Sequence, residues 1–157
     1  MKKLIIMAAI LVAGVAANAA SFKWSANGIY SSDLTNLIAD GTIVSLHAYN
    51  DSLADTIVNT TTTTDGKFTA ANTVFSSDAL VGGQTYNFFF TVEDANGAVY
   101  TSQTISKIAQ ATSTVLIGFG AQANSQNASN WVAVPEPTSG LLMLLGMAGL
   151  ALRRRRA

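Results

Sequence analysis

The chain has no cysteine, a single histidine and only two prolines in 157 residues. Without a thiol there is no disulfide, no thiolate nucleophile, no cysteine zinc site and no haem attachment motif. Positive charge is scarce and badly distributed. Lys2, Lys3 and Arg153, Arg154, Arg155 and Arg156 hold six of the nine cationic side chains, all at the extreme ends. Between residues 20 and 134 only Lys23, Lys67 and Lys107 remain. They face eight acids, Asp33, Asp40, Asp51, Asp55, Asp65, Asp78, Glu93 and Asp94, so this segment is net negative by five. Such a segment has no basic footprint to neutralise phosphate, which argues against nucleic-acid binding. It also weighs against an anionic lipid or polysaccharide partner without a bridging cation. Plain solubility explains a modest negative charge equally well. No nucleophile elbow, phosphate loop, dinucleotide fingerprint or His-Glu-x-x-His motif is present. No period of about 20–50 residues suggests a repeat array.

Long hydrophobic runs are missing too, and the two short ones sit at the termini. At the N-terminus, Lys2 and Lys3 precede an apolar stretch from Leu4 to Val15, and Ala17-Asn18-Ala19 follows with small residues at both signal-cleavage positions. That order is a secretory signal peptide, residues 1–19, cleaved after Ala19 by signal peptidase. At the C-terminus, Gly140 to Leu152 carries no charge and ends on four arginines. As a helix it covers roughly 20 Å at about 1.5 Å per residue. A hydrocarbon core of about 30 Å needs more, so the expected transmembrane helix takes in residues 138–152 and relies on snorkelling arginines. The arginines act as a membrane stop on the cytoplasmic side. Pro135 and Pro137, the two prolines of the chain, fix an extended backbone around Glu136. On these residues alone a permanent anchor stays open, and a core helix is disfavoured because the run has no polar face.

The tail, Val134-Pro135-Glu136-Pro137-Thr138-Ser139 followed by a short apolar segment and an arginine cluster, resembles the PEP-CTERM sorting signal. The resemblance covers about 24 residues at 135–157 and their edge. It implies an exosortase-type processing enzyme as partner, recognition at Pro135, Glu136 and Pro137, and cleavage near them. It implies a transient membrane anchor and then delivery to the cell surface or extracellular space. It is silent on the rest of the chain.

Removing both ends leaves about 115 residues, enough for one small domain. Its Thr, Ser, Asn and Gly content, with short runs of β-branched and aromatic residues, reads as all-β. We expect a small antiparallel β-sandwich of about seven or eight strands over residues 20–120, flanked by the signal helix and the transmembrane helix, with a linker at 121–134. Phe22 to Ala26, Thr42 to Tyr49, Asp55 to Thr64, Gln84 to Glu93, Ala98 to Ile105 and Thr114 to Phe119 are the expected strands. Ser32 to Ala39 could instead form one or two helical turns. Asp65-Gly66 and Asn96-Gly97 are hairpin turns. Phe89 makes the second face of its strand partly apolar, which places that strand in the middle of a sheet. Trp131 could mark a membrane interface before cleavage.

Candidate chemistry is thin. His47 falls on the polar face of its strand, and a catalytic role would require a nucleophile and an orienting acid beside it. Glu93, Asp94 and Asn96 cluster at one turn and Asp51 and Asp55 in another loop, too few oxygens for calcium, which takes six or more. Thr60 to Thr64 reads as the exposed face of an edge strand or as a glycosylated patch. Asn50, Asn59 and Asn127 each begin an Asn-x-Ser/Thr pattern. No catalytic residue, metal ligand or cofactor is assigned. We therefore expect an exported, exosortase-sorted protein whose β domain is a non-enzymatic structural or interaction module. The alternative is a small carbohydrate-binding module for exopolysaccharide, presenting Trp24, Tyr30, Tyr49 and Tyr100 as glycan-facing aromatics. A third possibility, a small hydrolase, requires at least two acids, or His47 and an acid, within hydrogen-bond reach in one pocket.

Overall fold

A computed structural model describes residues 19–69, 71, 73–120, 123 and 126–133. Alternation of apolar and polar residues sets the strands: β1 (Ala19–Ser25), β2 (Ile43–Tyr49), β3 (Thr56–Thr62), β4 (Phe75–Val81), β5 (Thr85–Glu93), β6 (Val99–Thr101), β7 (Ile105–Ile108), β8 (Val115–Gly118) and β9 (Trp131–Val132). They form two sheets. The smaller has the order β4-β1-β8, and the larger runs β3-β2-β5-β6-β9 with β7 also paired to β5. The fold is thus all-β and mostly antiparallel, as expected. One pair departs from that: β1 and β8 are parallel, Phe22 opposite Val115 through Ser25 opposite Gly118. The signal helix and the transmembrane helix at 138–152 lie outside the described residues.

The inward positions of each strand meet in one aromatic core. Ala20, Phe22 and Trp24 of β1 face Phe88 and Phe90 of β5 across the two layers, with ring centroids 5.3 Å apart for Phe22 and Phe88 and 6.4 Å for Trp24 and Phe90. Trp24 is fully buried and meets Phe68 edge-on at 4.4 Å. Phe119 closes on Phe90 at 4.8 Å. Burying each such ring contributes about 2–3 kcal/mol, and aromatic pairs add roughly 0.5–1.5 kcal/mol. The indole N–H of Trp24 donates to Asn59 Oδ1 at 2.9 Å, so the buried polar atom is satisfied from β3.

Two buried hydroxyls repair the backbone ladders where strands stop. β4 pairs with β1 only as far as Phe22. Beyond it, Thr73 Oγ1 accepts from the Trp24 amide at 3.1 Å and donates to the Trp24 carbonyl. In the large sheet, Ser102 Oγ accepts from the Phe90 amide at 2.9 Å. An unpaired buried amide would otherwise carry a desolvation cost of about 1–3 kcal/mol.

The turns follow their residues. Asp65 and Gly66 have φ of 52° and 64°, and Thr64 and Lys67 exchange both backbone hydrogen bonds around them. That is a two-residue hairpin of the primed type, where Asp-Gly is favoured. The Ser32–Ala39 segment contains no helix. Asp33 instead accepts from the Ser31 hydroxyl at 2.6 Å and from the Thr35 and Asn36 amides at 2.9 and 3.1 Å. A short acidic side chain offering the backbone local bonds competes with a helical turn, and here it wins.

Three further differences from expectation stand out. β4 has no counterpart among the expected strands, because Ser76, Ser77 and Asp78 break its apolar pattern. The expected return strand Ala98–Ile105 is split into β6 and β7. The expected linker at 121–134 includes Trp131 and Val132, which pair as β9 with Tyr100 and Val99. Trp131 packs on Tyr100 at 5.4 Å, against the core of the β domain rather than free for a membrane interface.

Candidate functional site

β5 is the middle strand of the large sheet, as Phe89 suggested. Its inner face carries Tyr86, Phe88, Phe90 and Val92, all buried. Its outer face carries Asn87, Phe89 and Thr91. Pairing places His47 of β2 opposite Phe89, Ser45 opposite Thr91 and Tyr49 opposite Asn87. His47 stacks on Phe89 with centroids 4.6 Å apart and planes 17° apart. Tyr49 approaches Phe89 edge-on at 6.1 Å.

A register shift lies on each side of this row. Between β2 and β3, Leu46 opposes Asn59 but His47 opposes Ile57, so Val58 is an extra residue. On the other flank Thr91 opposes Thr101 while Phe88 opposes Ile105, which inserts one extra residue around Gln103 and Thr104. Bulges bend a strand and re-aim its side chains, and they concentrate beside functional sites. Here they border a groove of about 360 Å³ lined by Tyr49, Asp55, Phe89, Thr101 and Thr104.

His47 ties the groove together. Its Nδ1 lies 2.8 Å from Asp55 Oδ1 and its Nε2 lies 3.1 Å from Thr91 Oγ1. A carboxylate, an imidazole and a hydroxyl in that order are the parts of a nucleophilic triad. The remaining requirement is a pair of free donors for an oxyanion. Thr91 sits in the ladders between Ser45 and Thr101, and the Phe90 amide is bonded to Ser102. Neither amide beside the hydroxyl is available. His47 and Asp55 meet within hydrogen-bond reach beside the groove, which is the pairing the hydrolase alternative requires, and the contacts orient the imidazole against Phe89 with Asp55 at the groove's mouth.

The four candidate glycan-facing aromatics separate. Trp24 and Tyr100 are fully buried, which corrects their assignment to the surface. Both stand at inward positions of their strands. Tyr30 is half-buried in the loop that bridges to Leu37. Tyr49 is half-buried on the outer face and belongs to the groove. His47 is a sequence candidate only as a base that needs an acid, and Asp55 only as one of two acids in a loop; their pairing, and the addition of Thr101 and Thr104, carry no sequence signal, while Phe89 shows as an aromatic on the polar face of its strand.

The acidic clusters serve the fold. Asp94 is buried, and its Oδ1 accepts from the Asn96 and Ala98 amides at 2.8 and 3.1 Å. Its Oδ2 accepts from the Ser32 amide at 3.0 Å and from the Ser32 hydroxyl. Burial pushes the carboxyl up, but the four donors of Ser32, Asn96 and Ala98 outweigh it and hold the group below the usual carboxylate range. Asp33 is held far below that range by the Ser31 hydroxyl first and then by the Thr35 and Asn36 donors. No group of three or more metal-ligating side chains occurs among the described residues. The asparagines of two Asn-x-Ser/Thr patterns are committed: Asn59 accepts from Trp24, and Asn50 caps its loop through the Ser52 and Leu53 amides at 2.9 and 2.7 Å. Asn127 caps the 3-10 turn Ala128–Asn130. In the threonine run, Thr60 and Thr62 are exposed on β3, an edge strand paired only to β2, while Thr63 is buried and donates to the Ala39 carbonyl at 2.7 Å.

Of the remaining candidates, Ala19 opens β1 opposite Val81. Ala17, Pro135, Glu136, Pro137 and Arg153 to Arg156 lie outside the described residues. No described helix is long and apolar enough to cross a membrane. Comparisons with curated proteins and with solved structures each found no match. A family profile described as the PEP-CTERM protein-sorting motif matches residues 133–156. The chain thus carries a PEP-CTERM sorting motif, which marks it as an exported protein, anchored in the membrane before an exosortase processes it.

Proposed function

We propose that signal peptidase removes residues 1–19, that the exosortase cleaves near Pro135, Glu136 and Pro137, and that the freed β domain acts at the cell surface or in the extracellular matrix. There it is a non-enzymatic structural or interaction module. The carrying observation is the sorting motif at residues 133–156. Two features of the domain agree with it. The β1 register shifts between Ala19 and Ala20, so cleavage after Ala19 removes only the pair with Val81 and leaves the pairs from Ala20 onward. The lone histidine is hydrogen-bonded to Asp55 and Thr91 and stacked on Phe89, and neither backbone amide beside the Thr91 hydroxyl is free. A carbohydrate-binding role is the second reading, favoured by the half-buried Tyr49 and Phe89 in one groove.

Intact mass of the protein from the native envelope, measured fraction by fraction, tests the routing. The expected product begins at Ala20, ends near Pro135 and leaves the inner membrane. A chain that keeps Arg153 to Arg156 and stays in the inner membrane overturns it.

A further inference from the structure

We propose that the groove over Phe89 binds a neutral glycan, with the apolar face of one sugar ring on Phe89 and Tyr49 and its hydroxyls bonded to Asp55, Thr101 and Thr104. This rests on the reading of the β domain as an interaction module and names the ligand and the site.

Four observations carry it. First, the site is built into the sheet: the row His47–Phe89 is flanked on both sides by one-residue bulges, and the groove opens beside the second. Second, its floor is a held aromatic. Phe89 is partly exposed on the outer face, His47 of β2 covers one face of its ring at 4.6 Å, and Tyr49 of the same strand meets it edge-on at 6.1 Å. A pyranose has apolar C–H faces and a polar rim, so it stacks on a ring of this kind and finds its hydrogen bonds around the edge. Third, that edge is free of partners among the described residues. Asp55 Oδ2 and the hydroxyls of Tyr49, Thr101 and Thr104 have no hydrogen-bond partner among the described residues. Acceptor and donor-acceptor groups are thus both available, which matches the mixed character of sugar hydroxyls. Asp55 is 56% exposed and is oriented through its other oxygen by His47, so the carboxylate is preorganised. Fourth, charge selects the ligand. No lysine or arginine lines the groove, and its one acid repels a uronate, sulfate or phosphate. A volume of about 360 Å³ falls in the range of small-ligand pockets, about 300–1,000 Å³.

The rest of the same face carries Ile43, Ile57, Ile108 and Val132, all well exposed. These make a second copy of the chain the competing occupant. The exposed aliphatics have no ring to stack on a sugar, and the groove's free polar groups would stay unpaired beneath an aliphatic partner. A glycan in the groove pairs those polar groups and leaves the aliphatics outside it.

The test uses the full chain in a neutral detergent, run in native affinity gels containing a neutral polysaccharide (β-1,4-glucan, mannan, galactan or dextran) or an anionic one (alginate or polygalacturonate). At least one neutral polymer should retard the protein and neither anionic polymer should do so. Tyr49→Ala should weaken that retardation at least tenfold, and Asp55→Asn and Thr104→Val about threefold each. Near-UV circular dichroism checks that each variant keeps its fold, and the three positions are separate enough that one folded variant suffices. The proposal is overturned if no neutral polymer retards the protein, if the anionic ones do so equally, or if folded variants bind like the parent. A dimer in analytical ultracentrifugation that the Tyr49 and Thr104 variants dissolve also overturns it and gives the face to a second copy. None of these outcomes bears on the mass of the processed chain, so failure here is separable from failure of the routing.

Discussion

Replacing Asp94 by Asn should destabilise the β domain by about 3 kcal/mol at pH 7, and the loss should fade in acid. Asp94 is buried at the β5–β6 turn and takes four donors, from Ser32, Asn96 and Ala98. It therefore pins the 31–36 loop to a turn more than sixty residues away in sequence. A hydrogen bond to a charged acceptor contributes about 1.5–3 kcal/mol net. Asparagine keeps one acceptor oxygen and turns an N–H toward donors at the other, so about two of the four bonds are lost. The sign of the pH dependence follows from the carboxyl being held below its usual range in the folded chain. As pH falls, the unfolded chain takes up the proton first, near a pKa of about 3.9. The stabilisation from Asp94 is thus complete above that value and is lost as pH drops through the lower folded-state value. Asparagine does not titrate, and Asp33 titrates alike in both proteins and cancels. Urea unfolding followed by tryptophan fluorescence at pH 7, 5 and 3 should give a gap that is constant between pH 7 and 5 and smaller at pH 3. In thermal melts at pH 7 the variant should melt roughly 10 °C lower, from about 4 °C per kcal/mol for a domain this size. A gap below about 1 kcal/mol at pH 7, or one that persists undiminished at pH 3, refutes the assignment of Asp94 as a charged cross-link.

Three substitutions probe other parts of the fold, each read as a urea or thermal midpoint. Tyr100→Phe should be neutral or stabilising by up to about 1–2 kcal/mol, because its hydroxyl is buried without a hydrogen-bond partner among the described residues and its removal relieves desolvation; a clear loss would mean that the hydroxyl is bonded after all. Gly66→Ala should cost about 2 kcal/mol or more. Its φ is 64°, where a side chain alone costs about 1–2 kcal/mol, and the added Cβ would lie 3.0 Å from the Ile29 carbonyl. Asn59→Ala should cost about 1–3 kcal/mol by stranding the Trp24 indole N–H, and the tryptophan emission should shift with it; an unchanged spectrum and midpoint would count against that bond.

Strand identity was legible wherever residue type and period agreed. Val44, Leu46 and Ala48 against Ser45, His47 and Tyr49 define β2, and the Asp65-Gly66 turn is written in two residues. Where a side chain takes the place of backbone pairing, the pattern goes quiet. Asp33 replaces a helical turn with local bonds, and β4 hides its apolar ends, Phe75 and Leu80, around a polar middle. Aromatic type says nothing of direction without register: Trp24, Tyr49 and Tyr100 have similar neighbours in sequence, yet two face the core and one faces solvent. The groove was the least legible feature, because it depends on Asp55, Phe89 and Thr104 meeting through two bulges. A bulge is a one-residue mismatch between paired strands, and no single strand carries the mark of it.

The boundary between domain and address is sharper than composition suggested. The small polar residues from Ala121 to Asn130 read as a tether, yet Trp131 and Val132 return to the sheet and pack on Tyr100. Only Ala133 and Val134 then separate β9 from Pro135. Two residues reach at most about 7 Å, far less than the width of a folded partner. If the processing enzyme acts at Pro135 as proposed, it meets the β domain at close quarters. Lengthening this gap is the direct probe. Inserting six Gly/Ser residues after Ala133 should leave domain stability unchanged and speed release of the chain from the membrane if proximity limits cleavage. Unchanged release, followed by intact mass over a pulse-chase, would show that the short junction does not limit cleavage and would refute the close-quarters argument.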